Sequence, residues 1–300
     1  MFYTKYLYNQ NWNIGFTEDT VDSFFKLHSL GKVKWMKHGY RDRYFADPFI
    51  LKATDDVIVI LAEEYIFNER KGRILKLVVD KATKQLLKRI VVLELDTHLS
   101  YPAIFREGDS IYIYPENLAS GKINIYRYED ETAKVTFVKT LIKEPLADST
   151  IINHQEKFWL VATKAPDTQE NAYLYVSDSF DGEYVMVGNA PIACDKGFAR
   201  PAGLFIKHED ALYRPAQDCT NGYGKGIVIR KVNFISDNSY AEKTVFKIYP
   251  HSFKYNLGLH TINFYDGECV IDGYGYLYPV MGRLLKLLRI IKHKLVNECS

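Results

Sequence analysis

Asp47 and Asp148 are the residues of this sequence whose setting best suits acid–base chemistry. Each carboxylate follows an alanine and opens a run of strand-forming residues, and Asp47 stands directly before Pro48. The proline is expected to push Asp47 toward an extended backbone conformation. An acid held in this way is either a turn residue that binds nearby backbone N–H groups or a general base at the end of a strand.

Five stretches of the sequence share this pattern. In each, a strand opens with one prominent residue followed by a small residue or proline, and these prominent residues are 47 to 60 positions apart. They are Asp47, Tyr101, Asp148, Arg200 and His260. A repeat of about 50 residues indicates a repeated structural unit. We therefore expect the five residues to form a ring around one opening.

A second apolar strand follows each opening and ends in polar residues. These ends are Glu63 and Glu64, Glu116, Thr163 and Lys164, Gln217 and Asp218, and Asp272. One residue from each end is expected to stand behind the ring. Glu64 and Glu116 are candidate catalytic carboxylates, whereas Gln217, Asp218 and the nearby Arg214 are candidate substrate ligands.

The five units predict an all-β fold, a five-bladed β-propeller over residues 1–280, with up to four strands in each blade. A β-sandwich or two small β domains are the alternative, but neither explains five matching openings. The fifth unit is short of strands, so the alternating run at residues 6–14 is expected to complete its blade and protect the edge. Residues 18–30 have the apolar spacing of a short helix.

Residues 281–300 predict a short amphipathic helix. Within residues 283–298 lie five basic residues and one acidic residue, although the net charge of the whole chain is only +2. We expect residues 281–295 either to pack on the propeller or to rest on an anionic membrane surface. The nearly neutral remainder does not suit a nucleic-acid binder.

Other features of the sequence bear on location and cofactors. The N-terminus lacks the basic stretch and apolar run of a signal peptide, and the four cysteines are scattered without a CxxC pair. These features predict a cytoplasmic protein, peripheral at the inner face of the membrane if the helix binds lipid. The histidines show no metal-ligand spacing, so neither a metal nor another cofactor is predicted.

Six runs resemble a known family. They are residues 45–49, 100–102, 114–116, 200–203, 213–218 and 223–224. These runs resemble the N-terminal domain of plant glucosamine inositolphosphorylceramide transferases, and of bacterial proteins found among surface-polysaccharide enzymes. More distantly, the openings and the blade layout resemble the five-bladed propellers of glycoside hydrolase family 43.

The resemblance to family 43 implies roles for particular residues. Asp47 would be the general base, and Asp148 would tune a pKa. The family's general acid belongs to the fourth blade, where this chain has Arg200, so Glu64 or Glu116 would have to serve instead. His260 resembles a fifth-blade histidine that lies near a channel-bound metal or water.

Three functions fit these residues. The first is a glycosyltransferase of cell-surface glycan biosynthesis that acts on a carbohydrate or nucleotide sugar, with Asp47 as base and Arg200 as a clamp for phosphate or carboxylate. The substrate ligands would be Tyr101, Arg200, Arg214, Gln217, Asp218 and His260. The second function is a family 43-like glycoside hydrolase, and the third is a non-catalytic glycan-binding propeller. The competing interpretation is that Glu64 and Glu116 only form ion pairs with the two arginines.

Overall fold

The fold is a five-bladed β-propeller with a C-terminal helix, as the sequence predicts. The computed structural model describes residues 10–298. Each blade is a twisted antiparallel sheet whose innermost strand is the first of its unit. The innermost strands of the fifth, first, second and third blades contact one another in turn, and hydrogen bonds to Ala202 and Gly203 join the fourth blade to the fifth and third. The residues at the openings therefore converge on one end of the channel.

Three consecutive blades are formed by residues 43–194. The first contains β3 (Arg43–Ala53), β4 (Val57–Ile66), β5 (Lys71–Asp80) and β6 (Leu86–Leu93). The second contains β7 (Ser100–Glu107), β8 (Ser110–Glu116), β9 (Ile123–Glu129) and β10 (Lys134–Ile142). The third contains β11 (Leu146–His154), β12 (Lys157–Lys164) and β13 (Asp167–Ser177), with the short outer strands β14 (Val185–Met186) and β15 (Ala193–Cys194).

The last two blades differ in how they are completed. The fourth contains β16 (Ile206–His208), β17 (Ala211–Asp218), β18 (Gly226–Ser236) and β19 (Ser239–Ile248). The fifth contains β20 (Ile262–Tyr265) and β21 (Glu268–Tyr276), followed by β1 (Gln10–Thr17) and β2 (Lys34–Trp35) from the beginning of the chain. Because β1 pairs with β21 from Gln10 to Thr17, the two ends of the propeller sequence share one sheet. Residues 6–9 of the predicted closing strand lie outside the described residues.

Two helices lie outside the sheets. Helix α1 (Val21–Leu27) begins at a capping box, in which Thr20 and Ser23 each accept a backbone N–H of the other. Its buried Phe24 and Phe25 pack on the fourth and fifth blades. Helix α2 (Pro279–Glu298) follows the fifth blade. No helix among residues 10–298 is long and apolar enough to span a membrane.

The blades pack tightly near the channel. Gly203 has φ +131°, and a Cβ at this position would lie 2.0 Å from the carbonyl oxygen of Ile262. Only glycine permits both this conformation and this close approach between the fourth and fifth blades. The opening of the fourth blade, with Arg200, is thereby held against His260 and its neighbours.

Candidate active site

Three of the five ring residues share an unusual backbone conformation. The φ angles of Asp47, Tyr101 and Asp148 are 51°, 44° and 49°. All three lie in the left-handed region, which side chains other than glycine adopt at a cost of about 1 kcal/mol or more. The expectation that Pro48 makes Asp47 extended is therefore wrong. The cause is a β-bulge: strand pairing shifts register between Ala46 and Phe49, and likewise in β7 and β11.

Carboxylates stabilise these strained positions. The backbone N–H of Asp47 donates to Asp272 at 3.1 Å, that of Tyr101 to Asp47 at 3.2 Å, and that of Asp148 to Glu116 at 2.9 Å. Each bulge thus directs an N–H group toward an acid of the neighbouring blade. The residues that recur at the openings of the first three blades are therefore the residues that form these hydrogen bonds.

The ring opens into a small polar pocket of about 130 Å³. All five blades contribute to its wall. The lining residues are Trp12, Tyr44, Ala46, Asp47, Glu63, His98, Ser100, Glu116, Asp148, Arg200, Tyr223 and His260. Five of the predicted site residues therefore meet in one pocket, namely Asp47, Glu116, Asp148, Arg200 and His260.

Asp47 lies at the centre of one hydrogen-bond network. Its Oδ1 accepts the hydroxyl of Thr261 at 2.7 Å and lies 3.7 Å from His260 Nε2. His260 Nδ1 is in turn 2.6 Å from Asp272 Oδ2. Burial raises the pKa of Asp47 to about 6; His260 opposes this rise and the charge of Asp148 adds to it. Asp47 is thus suited to accept a proton near neutral pH.

Asp148 and Arg200 form the opposite wall. Arg200 Nε donates to Asp148 Oδ2 at 2.6 Å, and its Nη2 lies 3.4 Å from Glu116. Gln217 Nε2 also donates to Asp148 Oδ2 at 2.6 Å, so Gln217 supports the site from behind. Burial raises the pKa of Asp148 to about 7; Arg200 lowers it and Glu116 raises it further. Because the charge of Arg200 is already balanced by two acids, its capacity to clamp a phosphate is reduced.

Glu63 is the third carboxyl of this pocket with a strongly perturbed environment. Burial, followed by the charges of Asp47 and Glu116, raises its pKa well above the ordinary value. Its Oε1 has no hydrogen-bond partner among residues 10–298. His98 Nε2 lies 3.5 Å from that oxygen, and His98 Nδ1 accepts the N–H of Gly72 at 2.9 Å. This shift favours the protonated form of Glu63, which is the form that could donate a proton.

Aromatic rings form the remaining wall. The Trp12 ring stacks on His260 at 3.8 Å between centroids and on Tyr274 at 4.7 Å. Tyr223 meets both Trp12 and His260 edge-on. The guanidinium of Arg200 lies 5.3 Å from the centre of the Tyr223 ring. An acidic pocket with aromatic walls is suited to the hydroxyls and the apolar ring faces of a sugar.

Besides Gln217, four predicted site residues lie outside the pocket. Glu64 points to the opposite face of β4, where it is bound by Arg43, Arg73 and Arg89. Arg214 is buried against Glu242, at 2.5 Å. Asp218 accepts hydrogen bonds from Lys247 and Tyr249. Tyr101 is wholly buried beneath the ring, where its hydroxyl binds Thr150 and accepts the N–H of Gly203.

Strand alternation explains the position of Glu64. Glu63 pairs with Ala46, directly before Asp47, and Glu116 pairs with Ser100, directly before Tyr101. Successive side chains point to opposite faces, so Glu63 faces the channel and Glu64 faces away. The equivalent pairing of Ala147 selects Thr163 in the third blade, and Gln217 and Asp272 contact ring residues directly.

Other lining residues were not predicted. Trp12 comes from the closing strand β1, and Tyr223 from the loop between β17 and β18. Neither belongs to the repeated pattern, so the repeat carries no signal for them. Tyr44 and Ser100 lie within or beside the openings, and an alignment of the five openings could have included them.

Asp47, His260 and Asp272 offer atoms within 4.8 Å of one another, which is close enough to hold a metal ion. All four carboxylate oxygens already accept hydrogen bonds, however. The donors are the backbone N–H groups of Asp47, Tyr101, His260 and Thr261, the hydroxyl of Thr261 and the ring of His260. A hard cation such as Ca²⁺ needs six or more oxygen ligands. The residues present do not fit such an ion, and the prediction of no metal stays a prediction.

Comparison with known proteins gives matches in both sequence and structure. The family model described as "Glucosamine inositolphosphorylceramide transferase 1, N-terminal" matches residues 30–258. Proteins of that name from Arabidopsis thaliana and Oryza sativa subsp. indica are each 30% identical to this chain, over 219 and 215 residues. The aligned region is 69% of this chain and 28% of each relative, so the chain spans less than a third of their length.

Solved structures show the fold. The catalytic domain of the Coprinopsis cinerea GH62 α-L-arabinofuranosidase matches with a TM-score of 0.54 and 10% identity, covering 73% of this chain and 76% of that one. A GH43 β-1,3-galactosidase with galactodeoxynojirimycin matches with a TM-score of 0.51 and 11% identity, covering 70% and 76%. At these identities the likeness is one of fold alone.

Proposed function

Because this chain belongs to the family of the glucosamine inositolphosphorylceramide transferase 1 N-terminal region, we propose that it is a carbohydrate-active enzyme that forms a glycosidic bond. The observation that carries the proposal is that Asp47 and Glu63 line the same buried pocket. Their environments favour opposite proton-transfer roles, and such a pair of carboxyls serves glycosidic chemistry.

In the proposed reaction Asp47 is the base and Glu63 is the acid. The carboxylate of Asp47 takes the proton from an acceptor hydroxyl, whose oxygen bonds to the anomeric carbon of the donor sugar. The bond from that carbon to the leaving oxygen breaks, and the leaving oxygen takes the proton of Glu63. Exchange with water then restores both carboxyls.

The charge of the pocket indicates which kind of donor sugar it can bind. Four acids, Asp47, Glu63, Glu116 and Asp148, line it together with Arg200 and His260. Since Arg200 is neutralised by Asp148 and Glu116, little positive charge remains for a diphosphate. We therefore propose a neutral glycoside as donor, rather than the nucleotide sugar that Arg200 suggested in the sequence.

Hydrolysis is the second candidate, and Glu63 is the observation that favours it. The fourth blade has Arg200 where family 43 hydrolases are expected to have their acid, and Glu63 supplies a protonated carboxyl from the first blade instead. The same two residues would cleave a glycoside if water took the place of the acceptor hydroxyl.

One experiment tests the shared site and separates the two candidates. The purified protein is incubated with a panel of nitrophenyl glycosides, with and without sugar or polyol acceptors, and its products are identified by mass spectrometry. We expect acceptor-linked products, and Asp47→Asn should lower their rate by roughly 10²–10⁴. Free sugar as the main product would favour hydrolysis. Unchanged rates in Asp47→Asn, with Asp218→Asn as the matched control, would remove Asp47 from the mechanism.

We also propose that helix α2 rests on an anionic membrane surface. Its described apolar side chains Leu284, Leu287, Leu288 and Ile291 are each 45–54% exposed. In the sequence they alternate with Arg283, Lys286, Arg289, Lys292 and Lys294. An exposed apolar stripe beside basic residues suits the boundary between lipid headgroups and acyl chains.

A further inference from the structure

A second cavity lies on the other side of strand β1. Its volume is about 420 Å³, and its wall is formed by β1, residues 35–41, residues 254–255 and residues 277–278. Side chains alternate along a strand, so Trp12 lines the catalytic pocket whereas Asn11 and Asn13 line this cavity. The two pockets share no lining residue.

The wall of this cavity contains polar groups without partners. Asn11 Oδ1, Asn13 Oδ1 and His38 Nδ1 are buried and have no hydrogen-bond partner within residues 10–298. Both asparagines are only 2% exposed. Asn13 Nδ2 donates to the carbonyl of Met36 and to the hydroxyl of Tyr255, which fixes its Oδ1 as the unpaired acceptor. Buried polar groups are normally hydrogen-bonded, so the concentration of three unpaired acceptors beside one cavity indicates a ligand.

The rim of the cavity is positively charged. Lys37, Arg41 and Lys254 line it and are exposed, and no acidic residue contributes to the wall. None of the three forms an ion pair with a carboxylate in the described part of the chain. Arg41 donates to the hydroxyl of Tyr278, across the cavity mouth. Cations without a carboxylate partner, next to buried acceptors, suit a ligand that has both an anionic end and hydroxyl donors.

We propose that this cavity binds a phosphorylated sugar or polyol. The hydroxyls donate to Asn11, Asn13 and His38, and the phosphate lies between Lys37, Arg41 and Lys254. The cavity volume falls within the range of small-molecule sites, about 300–1,000 Å³. The ligand is either a free sugar phosphate or the headgroup of a glycolipid or inositol lipid. This site does not depend on the proposed reaction, because none of its residues lines the catalytic pocket.

Titration calorimetry with glucose 6-phosphate, glucose and inorganic phosphate tests the site. We expect glucose 6-phosphate to bind at least tenfold more tightly than either of the other two, because it uses both the acceptors and the cations. The paired variant Lys37→Gln/Lys254→Gln should lose roughly tenfold in affinity and much of the salt dependence. Lys134→Gln/Lys143→Gln, which removes two exposed lysines from the region of the second blade, is the control and should bind like the parent protein.

A second variant tests the acceptors. Asn11→Leu should abolish the rise in melting temperature that glucose 6-phosphate produces in the parent protein, while Asp47→Asn should preserve it. Stronger sedimentation with phosphatidylinositol vesicles than with phosphatidylserine vesicles of equal charge would identify the lipid headgroup as a ligand, whereas equal sedimentation would leave the free sugar phosphate as the ligand. Equal affinity of the parent protein, the lysine pair and Asn11→Leu for glucose 6-phosphate would overturn the proposal, as would no binding at millimolar concentration.

Discussion

At the scale of the residue, Asp47 links structure and pH dependence. Its pKa is raised to about 6, chiefly by burial, and a general base acts only when ionised. We therefore expect kcat/KM to rise as the pH increases through about 6 and then to level off. In Asp47→Asn, any residual activity should lack this rise. A parent profile that is flat from pH 5 to pH 7 would contradict the assignment.

The same raised pKa affects stability with a definite sign. A carboxyl whose pKa is higher in the folded state than in the unfolded state favours folding at low pH, and this contribution is lost as the pH rises through the folded pKa. The pKa values of Asp47 and Asp148 are about 6 and about 7. Deprotonation of these two groups should therefore reduce the free energy of unfolding as the pH rises from about 4 to about 7. Chemical denaturation of the parent and Asp47→Asn proteins across this pH interval measures the contribution of Asp47.

The proposed role of Glu63 as an acid can be tested by comparing donors with different leaving groups. If it protonates the leaving oxygen, Glu63→Gln should slow transfer from an alkyl glycoside by roughly 10²–10⁴. A nitrophenol leaves readily without a proton, so the same variant should be affected much less on nitrophenyl glycosides. Steady-state rates on the two donors give the comparison. Equal loss on both would mean that Glu63 positions the substrate and is not an acid.

At the scale of the element, the openings of the first three blades were predictable because they share one bulge with one hydrogen-bonding requirement. A bulge that directs an N–H group toward a carboxylate needs particular residue types, and these recur at Asp47, Tyr101 and Asp148. Which residues of each neighbouring strand face the channel was not predictable. A bulge changes the register by one residue, and one residue decides between Glu63 and Glu64.

Ion pairs that form only in the folded structure could not be predicted from the sequence either. The three partners of Glu64 lie on β3, β5 and β6, and Arg214 is paired with Glu242 on β19. Glu64 and Arg73 are direct cross-strand partners, but the other pairs join strands whose relative stagger depends on bulges. The sequence shows the charges but does not show which of them meet, so Glu64 and Arg214 were predicted as site residues.

The cluster around Glu64 holds the first blade together, and its loss is measurable. Glu64 is fully buried on β4 and binds arginines from the other three strands of that blade. Although burial alone would raise its pKa, hydrogen bonds from Arg89, Arg43 and Arg73 keep the pKa below its ordinary value. Glu64→Gln should reduce the free energy of unfolding by about 3 kcal/mol or more.

The control for this cluster is Glu94→Gln. Glu94 also binds Arg73, but its side chain is 36% exposed, so its loss should cost about 1 kcal/mol or less. Urea denaturation compares the two variants. If Glu64→Gln were as stable as the parent yet inactive, Glu64 would have a catalytic role that its position does not explain.

At the scale of the whole molecule, closure of the ring creates the site. Trp12 reaches the pocket because β1 completes the fifth blade, so both ends of the propeller sequence contribute to one wall. The same strand separates the catalytic pocket from the phosphate-binding cavity proposed above. Helix α2 begins at Pro279, directly after Tyr278 of that cavity. A membrane beneath the helix would therefore lie near the cavity mouth.

The membrane proposal can be tested without removing the helix. Leu284→Gln/Leu288→Gln replaces two exposed apolar residues on one face of α2 and preserves its basic residues. We expect the parent protein to sediment with vesicles that contain phosphatidylserine, less so at high salt, and the variant to lose most of this binding because lipid insertion needs apolar area. Leu87→Gln/Val185→Gln removes two exposed apolar residues from the propeller and should bind like the parent. Equal sedimentation of all three proteins would show that α2 does not contact the lipid.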